Sequence, residues 1–333
     1  MNGGNFLKSL KYSDVCLVPK YGVCRSRSEC DTSAIIGGKK FKLPVIPANM
    51  KSVVNVDLCR WLSENDFFYS MHRFDIDVQH FIEDCNRYNW KTISASVGTN
   101  PTHKNIISNL RSSGARIDFL TIDIAHGYSL NMKEMLKHTR KALPNTCIIA
   151  GNVSCPDGVR SLYKWGADYV KVGIGQGSPC TTKDKTGFTM PMFTCINLCS
   201  GLLETEGDFI EGEAKRIPII ADGGISCVGD MAKALRAGAD LCMAGGIFAS
   251  CIDSASPTIE IDGSTFKGYF GSASYENKQA MTHIEGKLNR LVSNGMTFAQ
   301  KLQEITEDLQ SSISYSGGLD ISSLKEVDYY ELK

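Results

Sequence analysis

The sequence predicts an α/β fold, a single TIM (β/α)8 barrel with N- and C-terminal extensions. Eight short apolar runs follow one another along the 333 residues, which is typical of parallel strands buried on both faces. Successive runs start 22 to 28 residues apart, apart from one interval of 48. That spacing fits one strand, one helix and two loops. The open doubly wound sheet is the alternative, but it would favour an early G-x-G-x-x-G turn, which the sequence lacks.

The predicted strands and helices divide the chain as follows. The strands are 43–50, 67–72, 92–98, 119–126, 147–153, 169–175, 217–224 and 241–248. Helical patterns lie between them, for example at 54–62 and 230–237, and the C-terminal tail has a predicted helix at 298–311 and a turn at 314–318. We expect residues 1–333 to form one catalytic domain, with a barrel core at about 43–250 and a C-terminal active-site segment at 260–333.

Composition excludes several classes of protein. The 36 basic residues balance the 36 acidic ones, whereas proteins that bind nucleic-acid backbone usually carry a basic excess, so we expect no nucleic-acid partner. No apolar stretch approaches the ~20 residues of a membrane helix. The first residues have neither the basic region nor the apolar run of a secretion signal, and 13 cysteines fit a reducing compartment. The sequence therefore predicts a cytoplasmic protein with mostly free thiols.

Polar residues and glycines follow the predicted strands at the ends where barrel enzymes place their chemistry. They are Asn49, His72, Gly98, Asp123, His126, Asn152, Gly175, Asp222, Gly223, Gly224, Gly245 and Gly246. Each has a local alternative, since Asp123 could cap a helix and Gly175 could form a turn. Their recurrence at strand after strand predicts a ligand-binding mouth.

Two Gly-Gly pairs predict a phosphate site. Gly223-Gly224 and Gly245-Gly246 follow strands seven and eight, whose loops commonly hold phosphate in this fold. Such pairs can also be simple tight turns. Asp222 comes directly before the first pair and is placed to accept hydrogen bonds from ribose hydroxyls, which favours a nucleoside monophosphate over free phosphate.

Cys180 is the candidate nucleophile. It lies in the Gly-rich segment that opens the 48-residue interval, between a strand end and the predicted anion site. Most cysteines in such a chain are inert fillers, but backbone N–H groups of this loop can favour a thiolate. Attack by a thiolate on an electrophilic ring carbon divides a difficult displacement into two easier steps.

Nine motifs resemble the IMP dehydrogenase/GMP reductase family. They are YSDVCLVP at 12–19, PVIPANMKSV at 44–53, TIDIAHGY at 121–128, IAGNV at 149–153, KVGIGQGSPCTT at 171–182, IIADGGI at 219–225, GYFGSAS at 268–274, IEGK at 284–287 and LQSSISYSGG at 309–318. MHRFD at 71–75 and KTGF at 185–188 are similar to the bacterial-type reductase branch. The motifs span nearly the whole chain.

The resemblance implies a covalent adduct between a cysteine and C2 of a purine nucleotide. In the dehydrogenase, hydride passes to NAD and water cleaves the adduct. In the reductase, ammonia leaves GMP and NADPH then reduces the adduct to IMP, a step in purine salvage and interconversion. The chain lacks an inserted regulatory domain pair after strand two, and only 12 residues separate Ser272 from Glu285, too few for the water-activating flap of the dehydrogenase. Both features favour the reductase.

The resemblance also implies roles for individual residues. The catalytic residues are Cys180, Thr182 and Glu285. The substrate-binding residues are Asn49, Met50, Asp222, Gly223, Gly224, Gly245, Gly246, Gly271, Ser272 and Gly286. The residues that bind the cofactor NADPH are Ser26, Arg27, Arg73, Asp123, Ile124, Ala125, Ser314, Tyr315, Ser316 and Gly317. Carbonyl groups of Gly173, Gly175 and Cys180 resemble a K⁺ site, and the family forms homotetramers.

The sequence departs from the family pattern in the Cys180 loop, and three other functions remain open. Gln176 stands where proline is usual and Pro179 where Val or Ile is usual, which predicts altered loop mobility. The region after Phe188 lacks a usual Gly-Trp run. The alternatives are an IMP dehydrogenase without regulatory domains, a non-catalytic purine nucleotide-binding barrel, and a flavin-binding barrel oxidoreductase.

Overall fold

The computed structural model describes residues 9–201, 216–278 and 282–332. The strands of these residues, in chain order, are β1 (Val15–Leu17), β2 (Ala34–Ile36), β3 (Lys39–Phe41), β4 (Val45–Pro47), β5 (Ser94–Val97), β6 (Phe119–Asp123), β7 (Cys147–Val153), β8 (Tyr169–Val172), β9 (Ile219–Asp222), β10 (Leu241–Ala244), β11 (Thr258–Ile261), β12 (Ser264–Tyr269), β13 (Asn289–Val292) and β14 (Tyr329–Glu331). The α-helices are α1 (Val56–Glu64), α2 (Val78–Arg87), α3 (Pro101–Ser113), α4 (Leu130–Ala142), α5 (Pro156–Trp165), α6 (Thr182–Thr186), α7 (Met192–Cys199), α8 (Val228–Arg236), α9 (Gly246–Ala249), α10 (Tyr275–Lys278) and α11 (Phe298–Ser316).

Seven parallel strands form one curved sheet in the order β4-β10-β9-β8-β7-β6-β5. Helices follow the strands along the chain, so the predicted TIM-barrel-like α/β fold is confirmed. The strands are short and almost wholly buried; every residue of β5 and β10, for example, is buried. Burial on both faces explains why the sequence shows continuous apolar runs rather than alternation.

The predicted strand at 67–72 is reduced to one parallel bridge between Met71 and Ala95. Met71 N–H donates to the Ser94 carbonyl at 3.1 Å, and Ser96 N–H donates to the Met71 carbonyl at 2.8 Å. The side chain of Ser70 instead contacts the hydroxyls of Ser96 and Thr121, both at 3.0 Å. The prediction of a full strand was therefore wrong, although the segment lies beside β5, where an eighth strand would lie.

The ends of several elements depend on single residues. β8 ends at Val172, three residues before the predicted end, because Gly173 has a φ of +141°. A side chain there would be strained, and its Cβ would lie 2.0 Å from the Asp222 carbonyl oxygen. Asn55 caps α1 by accepting a hydrogen bond from Leu58 N–H at 2.9 Å. The apolar face of α1 buries Leu58 and Leu62.

The predicted turn at 314–318 was wrong, because α11 continues to Ser316. Serine hydroxyls in its last turns donate to carbonyls of the preceding turn, as Ser312 does to Asp308 at 2.9 Å. The serine-rich run therefore does not end the helix. The helix ends at Gly317, which adopts a left-handed φ of +84°.

The chain extensions pack onto the barrel. β1 pairs antiparallel with β14, which joins the two ends of the described chain. The buried apolar core extends from Leu10 to Leu324 and includes residues of both extensions. A small antiparallel sheet, β11-β12-β13, leads from the barrel into the 270–274 loop. Within the described ranges, no helix combines the length and the apolar character that crossing a bilayer requires.

Candidate active site

A cavity of about 640 Å³ opens at the carboxyl ends of the barrel strands. All predicted catalytic and substrate-binding residues line it: Asn49, Met50, Cys180, Thr182, Asp222, Gly223, Gly224, Gly245, Gly246, Gly271, Ser272, Glu285 and Gly286. These residues come from positions up to 237 residues apart in the chain. The strand ends, residues 271–273 and residues 285–286 therefore surround one site large enough for a nucleotide.

Cys180, Thr182 and Glu285 form a hydrogen-bonded chain in the cavity wall. The Cys180 thiol donates to the Thr182 hydroxyl at 3.2 Å, and that hydroxyl donates to Glu285 Oε2 at 2.6 Å. A hydroxyl between a thiol and a carboxylate can pass a proton in either direction. The geometry thus suits a nucleophile with an acid–base partner.

Backbone contacts hold the Cys180 loop against the 285–287 segment. Cys180 forms an isolated antiparallel bridge with Gly286. Thr181 N–H donates to the Glu285 carbonyl at 2.9 Å, and Lys287 N–H donates to the Pro179 carbonyl at 2.9 Å. The relay therefore does not depend on side chains alone for its alignment.

The predicted phosphate cradle faces the Tyr269 hydroxyl. A Cβ on Gly245 would lie 2.1 Å from that oxygen, so the close approach requires glycine. Tyr269 is buried, and its hydroxyl donates only a weak 3.8 Å contact to Met50 Sδ. Burial, with the nearby Asp222 and Cys180, raises the pKa of Tyr269 well above its ordinary value. It remains a neutral donor at physiological pH.

An ion triad forms the floor of the cavity. Lys171 Nζ lies 2.7 Å from Asp123 Oδ1 and 3.2 Å from Asp222 Oδ2, and only 2% of the Lys171 side chain is exposed. Burial alone would lower the pKa of Lys171, but the two carboxylates outweigh burial and raise it. Burial would raise the pKa of Asp123, but Lys171 and Arg73 outweigh burial and lower it. Lys171 and Asp123 therefore both stay charged.

The predicted cofactor residues fall into two places. Arg73, Asp123, Ile124 and Ala125 line the cavity. The Arg73 guanidinium stacks on Phe74 and donates to the Asp123 carbonyl at 3.3 Å, and its buried Nε–H has no partner among the described residues. Burial lowers the pKa of Arg73.

The other six lie outside the cavity wall: Ser26, Arg27, Ser314, Tyr315, Ser316 and Gly317. They lie close to one another, since the Arg27 guanidinium lies 5.5 Å from the centroid of the Tyr315 ring, at the contact between α11 and the short helical turn Arg27–Glu29. Ser316 is buried and its hydroxyl donates to the Ile313 carbonyl at 2.7 Å. Their assignment to a cofactor stays a prediction.

The predicted cation ligands Gly173, Gly175 and Cys180 also line the cavity. The Gly173 carbonyl already accepts the Asn152 side-chain amide at 2.8 Å, which leaves one lone pair for a cation. Among the residues that the structure describes, no cluster of three or more His, Cys, Asp or Glu side chains is placed to bind a metal. The K⁺ site stays a prediction.

Known proteins of one family match this chain over nearly its full length. The domain described as IMP dehydrogenase / GMP reductase matches residues 9–332. The chain is 44% identical over 326 residues to a protein of Staphylococcus epidermidis named GMP reductase, covering 97% of this chain and 96% of that protein. It is 45% identical over 327 residues to a GMP reductase of Staphylococcus carnosus, and 44% identical over 326 residues to one of Staphylococcus aureus, with the same coverage.

The chain belongs to the IMP dehydrogenase/GMP reductase family. The resemblance of the sequence motifs to this family is thereby confirmed. One departure from the family pattern now has a structural setting. Gln176 Nε2 donates to the Thr189 hydroxyl at 2.6 Å, and that hydroxyl donates to the Ile174 carbonyl at 3.0 Å. Side-chain hydrogen bonds thus restrain the loop where proline is usual.

Among the cavity residues to which the sequence analysis gave no role are Lys171 and Tyr269. Lys171 lies inside β8 and Tyr269 at the end of β12. A lysine within an otherwise apolar run was a signal, because a charge is buried only when it is paired. Tyr269 gave no signal of its own, since a tyrosine at a strand end is ordinary.

Proposed function

We propose that the protein catalyses the NADPH-dependent reductive deamination of GMP to IMP and ammonia. The observation that carries this proposal is the Cys180–Thr182–Glu285 hydrogen-bonded chain in the wall of the cavity. The relatives that share over 40% of its sequence and are named GMP reductase support it.

Cys180 acts first, as the nucleophile. Its thiolate adds to C2 of the guanine ring, after passing its proton through Thr182 to Glu285. The 2-amino group then leaves as ammonia, and Glu285 returns a proton through Thr182. General acid help is needed because the amide ion is a very poor leaving group. The C2–S bond breaks when C2 has received a hydride, which frees IMP and Cys180.

The remaining substrate contacts are proposed from the family resemblance, and the position of these residues around the cavity supports them. Asp222 accepts hydrogen bonds from the ribose hydroxyls, and Asn49 and Met50 lie beside the base. Gly223, Gly224, Gly245, Gly246, Gly271 and Ser272 surround the phosphate, and Gly286 contacts the purine. The Tyr269 hydroxyl adds a neutral donor on the phosphate side.

The second substrate, NADPH, supplies the hydride to C2. The Nε–H of Arg73 is buried and has no partner within the part of the chain that the structure describes, and residues 123–125 lie beside it. Together they fit a polar group of a dinucleotide at this side of the cavity. We assign Arg73, Asp123, Ile124 and Ala125 to its reactive end. Ser26, Arg27, Ser314, Tyr315, Ser316 and Gly317 are proposed for its remaining part, and the carbonyls of Gly173, Gly175 and Cys180 for K⁺.

The short segment between Ser272 and Glu285 argues against the competing hydrolysis of the adduct. Glu285 N–H donates to the Ala273 carbonyl at 2.9 Å, so the two ends of this segment lie together. Its 12 residues are too few for the water-activating flap of the dehydrogenase. Hydride addition is therefore the favoured exit from the adduct, and GMP rather than IMP is the substrate in the proposed direction.

We also propose a single catalytic domain over residues 1–333, a cytoplasmic location and a homotetramer. One continuous core that includes both extensions supports the first. The tetramer follows from the family resemblance and is checked by light scattering of the purified protein.

A product assay tests the function. The purified protein is mixed with GMP and NADPH, nicotinamide absorbance is followed, and IMP and ammonia are identified; NADH replaces NADPH in a parallel reaction. A second assay mixes the protein with IMP and NAD and measures the dehydrogenase reaction. Formation of NADH and xanthosine monophosphate, without GMP-dependent loss of NADPH, would contradict the proposal in favour of a dehydrogenase. GMP binding without turnover would indicate a sensor, and a yellow protein a flavin enzyme.

A further inference from the structure

We infer that Lys171 is a positioning residue that couples the two substrate subsites, holding Asp123 on the dinucleotide side and Asp222 on the GMP side in one fixed arrangement. This inference rests on the proposed function, because that function assigns the two carboxylates to different ligands. Lys171 has no role in the sequence-based assignments.

The first observation is the double contact. Lys171 Nζ lies 2.7 Å from Asp123 and 3.2 Å from Asp222, and it is the only basic group among the described residues with an ion pair to both. Asp123 ends β6 and Asp222 ends β9, while Lys171 is in β8 between them. One ammonium group therefore fixes the separation of two carboxylates from opposite sides of the cavity floor.

The second observation is that the triad belongs to a longer hydrogen-bonded network. Asn49 Nδ2 donates to Asp123 Oδ2 at 3.2 Å and to the Ser96 hydroxyl at 2.9 Å. Asn152 Nδ2 donates to Asp222 Oδ2 at 2.8 Å and to the Gly173 carbonyl at 2.8 Å. The network thus reaches from β5 to the start of the Cys180 loop, with Lys171 as its central cation.

The third observation concerns the free energy of burying the triad. Lys171 is almost wholly buried, and desolvating three charged groups opposes their attraction. A buried ion pair is weak support for stability, and an apolar replacement of similar size is often tolerated. The triad instead lines the reaction cavity, where fixed charges align ligands and cost no rearrangement when the ligands bind.

Coupling follows from this geometry. Without Lys171, the two partly buried carboxylates would repel each other, and each would move away from its ligand. Displacing one carboxylate would then also change the affinity for the ligand on the other side of the cavity floor. A residue that served stability alone would alter the unfolding temperature but not both ligand affinities together.

Lys171→Met and Lys171→Arg test the inference. We expect Lys171→Met to raise the KM for GMP and the KM for NADPH, each by about tenfold, within the usual range of coupling between sites. Lys171→Arg keeps the charge and should leave both KM values within about threefold of the wild type. The matched control is Lys267→Met. Lys267 is equally buried, at 2% exposure, but its partners among the described residues are the Ile252 carbonyl and the Thr258 hydroxyl, neither of which lines the cavity. Both KM values should therefore change less than about twofold.

Two further variants test the coupling if Lys171→Met does not fold. Asp222→Asn should raise the KM for NADPH about fivefold, and Asp123→Asn should raise the KM for GMP about fivefold, although neither residue is assigned to that ligand. The inference is overturned if each carboxylate variant changes the KM of its own ligand alone, or if Lys171→Met changes neither KM. It is also overturned if Lys171→Arg raises both KM values as much as Lys171→Met does. A wild-type protein without GMP-dependent NADPH oxidation would refute the proposed function instead.

Discussion

Thr182 donates a 2.6 Å hydrogen bond to the carboxylate of Glu285, which lies 103 residues later in the chain. The same hydroxyl accepts from the Cys180 thiol at 3.2 Å. Glu285 is in turn fixed by its backbone, which bonds Thr181 on one side and Ala273 on the other. The proton path from the sulfur to the carboxylate is therefore aligned by contacts of the chain itself.

Glu285→Gln should separate the two chemical steps. Gln keeps the size of the side chain but cannot take up or return a proton, so release of ammonia from GMP should slow by about 100-fold or more. Hydride transfer to an adduct that has already formed needs no such proton, and we expect it to slow less than about tenfold. It is measured by incubating each protein with GMP until the adduct has accumulated, then adding NADPH and recording the first turnover of NADPH oxidation. Equal slowing of both reactions would refute the assignment of Glu285, and Glu260→Gln, on the exposed strand β11, is the control.

Cys180→Ala should abolish NADPH oxidation while leaving the dissociation constant of GMP within about tenfold of the wild type. Contacts to phosphate and ribose remain in this variant, whereas the bond to C2 cannot form. Calorimetric titration with GMP measures the affinity, and mass spectrometry of the quenched wild-type reaction locates the adduct. Cys16→Ala removes an exposed thiol on β1 and should behave as the wild type. Loss of GMP binding together with activity would show that Cys180 also contributes to GMP binding and is not only a nucleophile.

Much of the fold could be predicted, because a parallel strand that is buried on both faces has a continuous apolar sequence. β7 was predicted at 147–153 and has those bounds. The 67–72 run failed because its buried side chains satisfy the pattern while its backbone pairs only at Met71. Strand ends meet at one edge of the sheet, so glycines and carboxylates there could be grouped from the sequence. Lys171 could not be paired with Asp123 and Asp222 in advance, since its partners depend on which strands are neighbours.

Tyr269→Phe should weaken GMP binding more than it slows turnover. The hydroxyl faces Gly245 in the predicted phosphate cradle, and among the described residues its one partner is the Met50 sulfur, so a phosphate oxygen would be its natural acceptor. We expect the KM for GMP to rise about tenfold and kcat to change less than about threefold, as a lost hydrogen bond to a charged group predicts. Steady-state kinetics with GMP check this. An unchanged KM would place the phosphate elsewhere, and Tyr330→Phe, far from the cavity on the exposed strand β14, is the matched control.

His103→Asn should reduce the acid sensitivity of folding. Burial, aided by the nearby Arg73 cation, lowers the pKa of His103 from 6.5 to about 4. Between these values the unfolded chain binds a proton that the folded chain refuses, so stability is full above about pH 6.5 and falls as the pH drops towards about 4. A shift of this size corresponds to about 3 kcal/mol once the pH is below both values. Urea unfolding at a series of pH values should show a smaller loss of the free energy of unfolding for His103→Asn as the pH falls. The loss that remains is assigned to His72, whose pKa burial also lowers to about 4. His80→Asn, at a largely exposed histidine, should leave the slope unchanged, and an unchanged slope for His103→Asn would contradict the prediction.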